Sequence, residues 1–246
     1  MENGIESLEV KYYNCLKTFI QYIPICFIFL FASCSSNEKS ETANEQKDLP
    51  DQFIVVLGTA QDAGYPQIGC IKECCAAYWD GKEVKKHITS LALVDRKTNQ
   101  YWLFEATPDI TSQLHKLQSY FAKEDYSPDG VFITHAHVGH YTGLMEFGRE
   151  AMGAKEIPVY AMPRLDSFIR TNGPWSQLVT LKNISLQILK ADTAVAICSS
   201  FKVTPLKVPH RDEFSETVGF IIESKRKKIL FIPDIDKWEK WERKIV

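Results

Sequence analysis

Residues 131 to 140 read VFITHAHVGH: a short apolar strand, Val131 to Ile133, runs directly into His135, His137 and His140. The whole chain has only six histidines, so chance is a poor explanation for this grouping. In extended backbone, residues two apart point to the same face, so His135 and His137 can aim both imidazoles at one point. His140 approaches from the turn or first helical residue beyond. Borderline-soft divalent metals favour such nitrogen ligands, and a catalytic ion usually takes three protein ligands plus a water.

Outward from this stretch, a turn at Pro128-Asp129-Gly130 precedes the strand and a helix opens near Tyr141. Upstream, Thr89 to Asp95 and Tyr101 to Glu105 flank a polar segment in the pattern of a hairpin. Pro108 to Tyr120 places Ile110, Leu114 and Leu117 at helical spacing. Phe53 to Leu57, a continuous apolar run closed by Gly58, fits a strand buried on both faces and leads into a loop rich in Gly and Pro. Downstream, strands are expected at Ile157 to Ala161, Ile184 to Leu189, Phe201 to Val208, Val218 to Glu223 and Lys228 to Ile232, with Lys225 to Lys228 as a solvated hairpin turn. Two groups of strands with helical segments between them argue for α+β architecture: sheets packed face to face and covered by helices. Trp238 and Trp241, in a last helix, are expected to dock that layer.

Composition bounds the function. With 246 residues, 45% hydrophobic, and a formal net charge of −2, the chain has an ordinary globular balance and no cationic excess to neutralise a phosphate backbone, so no nucleic-acid partner is expected. The first fifty residues differ. Phe19 to Ala32 is apolar but too short to span a bilayer and reads as a signal-peptide core, with a short buried helix as the alternative. Ala32-Ser33-Cys34 suggests lipoprotein processing, with residues 1–33 removed and Cys34 acylated. Residues 34–50, nearly devoid of aliphatic side chains, read as a flexible tether, leaving 51–246 as one domain. The expectation is an exported protein held at a membrane through a lipid anchor.

THAHVGHYTGL resembles the HxHxDH signature of the metallo-β-lactamase superfamily. GTAQDAGYPQIGC, VPHRDEFSETVGF and KKILFIPDID look like the branch that contains the pyrroloquinoline-quinone biosynthesis protein B. The resemblance implies the four-layer αβ/βα sandwich of that superfamily. It implies that His135, His137 and His210 hold a first metal, that His140 serves a second, and that Asp234 bridges both. Position 139 departs from the signature: where the family has Asp, this chain has Gly, which predicts one tight metal and a weakened second position. The family's last metal histidine has no counterpart, because no histidine follows His210. Either the chain is a fragment, truncated at its C-terminal end, or the second position is filled differently.

Three imidazoles lower the pKa of a bound water from about 15.7 to about 7, which supplies hydroxide at neutral pH. His140 and Asp234 are candidate catalytic groups, as proton carriers or orienting residues. Zn2+ is the expected ion. Fe2+ or Mn2+ suits the same ligands, so ligand identity leaves the metal open. Arg211 could grip a substrate carboxylate or phosphate, or pair with Glu213 and Glu216 to brace its loop. Asp62 and Tyr65 resemble family positions near the pocket mouth and are candidate substrate-binding residues. Cys70, Cys74 and Cys75 resemble a cysteine-rich loop that binds structural zinc in some relatives; a disulfide from Cys70 to Cys74 or Cys75 is the alternative.

The leading functional expectation is a metal-dependent hydrolase of a small ester, lactone, amide or phosphodiester. An iron-dependent oxygenase resembling the quinone-biosynthesis branch is a second reading. A non-catalytic metal- or ligand-binding lipoprotein is a third.

Overall fold

In the computed structural model, the described residues are 49–120 and 125–244. The expected leader, the acylation site at Cys34 and nearly all of the tether lie outside them. Among these residues, ten strands form two sheets. The first runs β1 (Gln52–Gly58), β2 (Ser90–Asp95), β3 (Gln100–Phe104), β4 (Gly130–Phe132), β5 (Ile157–Ala161) and β6 (Ile184–Ile188), in that spatial order. It is antiparallel through β3 and parallel from β3 to β6. The second sheet, fully antiparallel, has the order β10 (Lys228–Phe231), β9 (Val218–Ser224), β8 (Phe201–Lys207), β7 (Val195–Ala196).

Strand alternation sorts the core. From β2, β3 and β4, Leu93, Trp102, Phe104 and Phe132 meet Phe201, Val203, Phe220, Ile222 and Phe231 of the second sheet. Phe220 stands edge-on to Phe104 and Phe132, at 5.7 and 5.5 Å between ring centroids, in the favoured aromatic geometry. The intervening residues Ala92, Val94, Tyr101, Leu103, Val131 and Ile133 face the other way and pack with Ile110, Leu114 and Leu117 of α2 (Ile110–Leu117) and Leu165 and Ile169 of α4 (Pro163–Thr171). The central strands are thus buried on both faces, which is why they read as unbroken apolar runs.

On the far side of the second sheet, Leu230 is 37% exposed. Among the described residues the main helix–strand contacts fall on the first sheet, within the expected α+β sandwich. The last helix expected around Trp238 and Trp241 is only a 3-10 turn, Trp238–Lys240. Trp241 still docks, its Nε1 donating to the Lys207 carbonyl at 2.8 Å, while Trp238 remains half exposed. Three further α-helices lie in the described part: α1 (Glu73–Trp79), α3 (Val138–Tyr141) and α5 (Trp175–Thr180). Among the described residues no helix is long and apolar enough to cross a membrane.

Candidate metal centre

The two sheets meet at one end, and the chain leaves three of their strands there with a chemical side chain. After β4 the chain carries His135 and then bends at residues 136–137, where His137 stands just before α3, and His140 sits in α3. After β8 comes His210, and after β10 comes Asp234. Backbone and side-chain bonds pin these loops together. Val218 N–H donates to the Thr134 carbonyl at 3.2 Å, and Ala136 N–H to Ser215 Oγ at 2.8 Å. Ala106 N–H donates to the His140 carbonyl and Gly143 N–H to the Ala106 carbonyl, both at 2.9 Å, which clamps α3 onto the chain after β3. A Cβ at Gly143 would lie 2.1 Å from the Thr107 carbonyl oxygen, so only glycine permits that clamp.

The ligand atoms of His135, His137, His210 and Asp234 lie within 4.8 Å of one another. His135 Nε2 is 2.8 Å from His137 Nδ1, and His210 Nε2 is 3.3 Å from the same atom. Asp234 Oδ2 is 3.5 Å from His135 Nε2, 3.4 Å from His210 Nε2 and 3.4 Å from His140 Nε2. Two tetrahedral ligands at 2.0–2.1 Å from one ion stand about 3.3 Å apart, so this donor set fits a single divalent ion. Asp234 Oδ2, reaching three imidazoles, stands where a bridging carboxylate belongs.

Each imidazole is also held from behind. His137 Nε2 lies 3.1 Å from Glu213 Oε2 and His210 Nδ1 3.0 Å from Asp236 Oδ1. An ionised carboxylate only accepts, so these nitrogens carry the proton and the inward ones are free to bind an ion. Thr134 Oγ1 lies 2.8 Å from His135 Nδ1. Behind His140 stands Glu105, fully buried, with Oε1 3.6 Å from Nδ1. Burial pushes the His135 imidazole down to about 4, the neutral state that metal binding requires. For His140, burial works against the charged ring but the carboxylates of Glu105 and Asp234 outweigh it and raise it to about 10. For Asp234, burial is likewise outweighed, by His135 and His140, which hold the carboxyl well below the usual range.

Asp62 is brought to the centre as well, its carboxylate joining His140 and Asp234 in a second group within 4.8 Å. The loop carrying it lies against Gly139, where an added Cβ would stand 2.4 Å from Asp62 Cβ and 2.6 Å from its Cα. Position 139 lacks the signature's carboxylate, and the backbone and Cβ of Asp62 stand where a side chain there would begin. Tyr65 points elsewhere, donating to Glu83 Oε2 at 2.8 Å beneath Lys86, and that bond lifts its hydroxyl to about 12. Arg211 is exposed at the rim with Nη1 3.9 Å from Glu213. The loop is braced instead by Arg164, which donates to the Asp212 and Glu213 carbonyls and, through its backbone, to Glu216. Glu105, Glu213, Asp236 and Arg164 were not singled out as orienting groups. Asp236 had a signal, its i, i+2 spacing from Asp234 in extended chain.

Cys70, Cys74 and Cys75 form a separate group at the start of α1, with Cys70 and Cys74 sulfurs 3.6 Å apart. They are free thiols. Sulfurs at 2.3 Å from a tetrahedral zinc stand about 3.8 Å apart, so this pair suits zinc; no fourth ligand appears among the described residues.

A face-to-face sandwich that gathers three imidazoles and a carboxylate at one end of its two sheets defines the class of metal-binding metallo-β-lactamase folds. A profile described as a beta-lactamase superfamily domain matches residues 101–245, and the chain belongs to that superfamily. The chain is 24% identical over 198 residues to coenzyme PQQ synthesis protein B of Xanthomonas axonopodis pv. citri, covering 73% of this chain and 64% of that protein. It is 26% identical over 206 residues to the protein of the same name from Pseudomonas fluorescens, covering 75% and 66%. The chain thus spans slightly under two thirds of these curated relatives. Its fold is similar to that of Zn2+-bound PqqB from Methylobacterium extorquens, with a TM-score of 0.63 at 23% identity over 74% of this chain and 65% of that one. It is also similar to a diphosphatase from the PhnP family, with a TM-score of 0.51 at 20% identity over 70% and 61%.

Proposed function

We propose that this chain is a metal-dependent hydrolase of a small ester, lactone, amide or phosphodiester, with His135, His137 and His210 as the ligands of a divalent ion. The observation that carries the reading is the convergence of those three imidazoles with Asp234 Oδ2 at 2.8–3.5 Å. Bound there, zinc or a similar ion supplies hydroxide at neutral pH and polarises the scissile carbonyl or phosphoryl oxygen. The chain's own groups do the rest. Glu213 and Asp236 fix the tautomers of His137 and His210. Asp234, kept ionised, orients the attacking water beside the ion. Arg211, exposed at the rim, meets an anionic substrate.

The test is hydrolysis of a panel of chromogenic esters, lactones and phosphodiesters by the purified full chain. Turnover is expected to vanish with chelator, to return with Zn2+, and to fall by at least about 10³-fold in His137→Ala. Turnover indifferent to chelator overturns the reading. A second reading is kept because the curated relatives are PQQ synthesis proteins: an iron-dependent oxygenase on the same ligands. Oxygen uptake by the Fe2+-loaded chain, with no hydrolysis of any panel member, decides for that alternative.

A further inference from the structure

We propose that Asp62, from the loop after β1, takes the place of the carboxylate that position 139 lacks and, with His140 and Asp234, holds a second divalent ion beside the first. The inference rests on the metal centre proposed above, since Asp234 serves both positions. Three independent observations lead to it. The first is donor geometry: one carboxylate oxygen from Asp62, one from Asp234 and a ring nitrogen of His140 lie within 4.8 Å of one another. Imidazole plus two carboxylates is a donor set for zinc, manganese or iron.

The second is an unmet need. His140 is 0% exposed, and neither of its ring nitrogens has a hydrogen-bond partner. Each nitrogen faces a carboxylate, Glu105 at 3.6 Å and Asp234 at 3.4 Å, but beyond hydrogen-bond length, and native interiors seldom leave buried polar atoms so loosely partnered without a reason. The Nε2 atom faces Asp234 at 3.4 Å, too long for a hydrogen bond but suited to two ligands of one ion. Asp62 makes no hydrogen bond or ion pair among the described residues, so its carboxylate has no competing partner at this point.

The third is steric. The Asp62 backbone is pressed so closely on Gly139 that a Cβ there would stand 2.6 Å from Asp62 Cα and 2.7 Å from its carbonyl oxygen. A side chain at 139 and the Asp62 loop exclude each other. The loop is no loose visitor: Ala60 N–H donates to the His87 carbonyl, Thr89 N–H to the Ala60 carbonyl, and Gly64 N–H to the Gln61 carbonyl, each at 2.9 Å. Ala63 N–H donates to Gln61 Oε1 at 3.0 Å, closing the turn around Asp62. Glycine at 139 is thus the condition that lets a carboxylate reach the second position from a different part of the chain. Adding a carboxylate by Gly139→Asp would displace the one already present.

The experiment loads the chelator-treated full chain with Mn2+, an oxygen- and nitrogen-seeking ion that a thiol cluster does not retain. Binding is counted by titration, and the spin-coupled signal of two ions about 3.5–4 Å apart is read by electron paramagnetic resonance. Wild type is expected to bind two ions and show the coupled signal. Asp62→Ala and the equal-sized Asp62→Asn should keep one uncoupled ion and weaken the second by about tenfold or more. Glu83→Ala, which removes the acceptor of the Tyr65 hydroxyl but leaves Asp62 in place, should keep both. Equal stoichiometry and affinity in wild type and both Asp62 variants overturns the proposal, as does a single uncoupled ion in wild type. No ion in wild type overturns the metal centre itself.

Discussion

Glu105 carries the sharpest residue-scale tension in the molecule. It is fully buried and sits at φ +83°, a left-handed conformation that costs a non-glycine residue about 1–3 kcal/mol. What the conformation achieves is placement: β3 ends at Phe104, and the turn of the chain at 105 puts a carboxylate behind His140. There it faces Nδ1 and can hold a proton on that nitrogen, which leaves Nε2, the nitrogen facing Asp234, for an ion. Glu105→Gln keeps the volume and removes the charge, and it should weaken ion binding at His140 by about 10–100-fold in a chelator-competition titration. Unchanged affinity would show that Glu105 does not act through His140. The histidines were legible because their chemistry is local, packed into one short stretch. Glu105 and Asp62 were not, because they reach the centre across long sequence separations. The contact between Asp62 and Gly139 depends on an atom that glycine lacks, and no spacing rule registers an absence.

At the scale of elements, α2 shows how a single carboxylate ties a helix to a strand approach. Asp109, just before the helix, accepts from Ile88 N–H at 3.0 Å and from Lys85 Nζ, and lies 3.7 Å from His87. Burial would raise its carboxyl, but the Lys85 bond and the Ile88 amide outweigh burial and hold it below the usual range. A depressed carboxyl pKa contributes stability that is present above the unfolded value of about 3.9 and lost as pH falls through the folded value. Asp109→Asn is therefore expected to lower the unfolding free energy by about 1–3 kcal/mol near neutrality, with the difference closing below about pH 4. Urea unfolding at the two pH values checks this, and an equal difference at both contradicts it. The strands other than the two-residue β7 were legible from their apolar runs, and β2 and β3 appear where the hairpin was expected. Helices α1, α4 and α5, of seven, nine and six residues, escaped because so few turns cannot establish a period. In α1 the signal was further masked by cysteines that drew attention as ligands.

At the scale of the whole molecule, the two sheets act as a jig: one aromatic core between them fixes their relative position, and the loops at one end inherit that precision. Superfamily and general site were legible because strand–HxHxxH and strand–Asp patterns belong to that end of the sandwich. The substrate was not, because pocket walls rather than ligands select it. For the segment before residue 49 the sequence reading stands as a proposal, that Cys34 is acylated and holds the chain at a membrane. Wild type expressed in a bacterial host should incorporate labelled fatty acid and sediment with membranes at high salt, and Cys34→Ala should do neither. An unlabelled, soluble wild type contradicts it.

The central claim, a metal centre built on imidazoles, is tested most directly by X-ray absorption at the zinc edge of the purified, zinc-loaded chain. The account predicts imidazole scattering with Zn–N near 2.0–2.1 Å, lost in the His135→Ala/His137→Ala double variant, alongside any sulfur shell near 2.3 Å from Cys70, Cys74 and Cys75. A spectrum with the sulfur shell alone, identical in wild type and double variant, would contradict it.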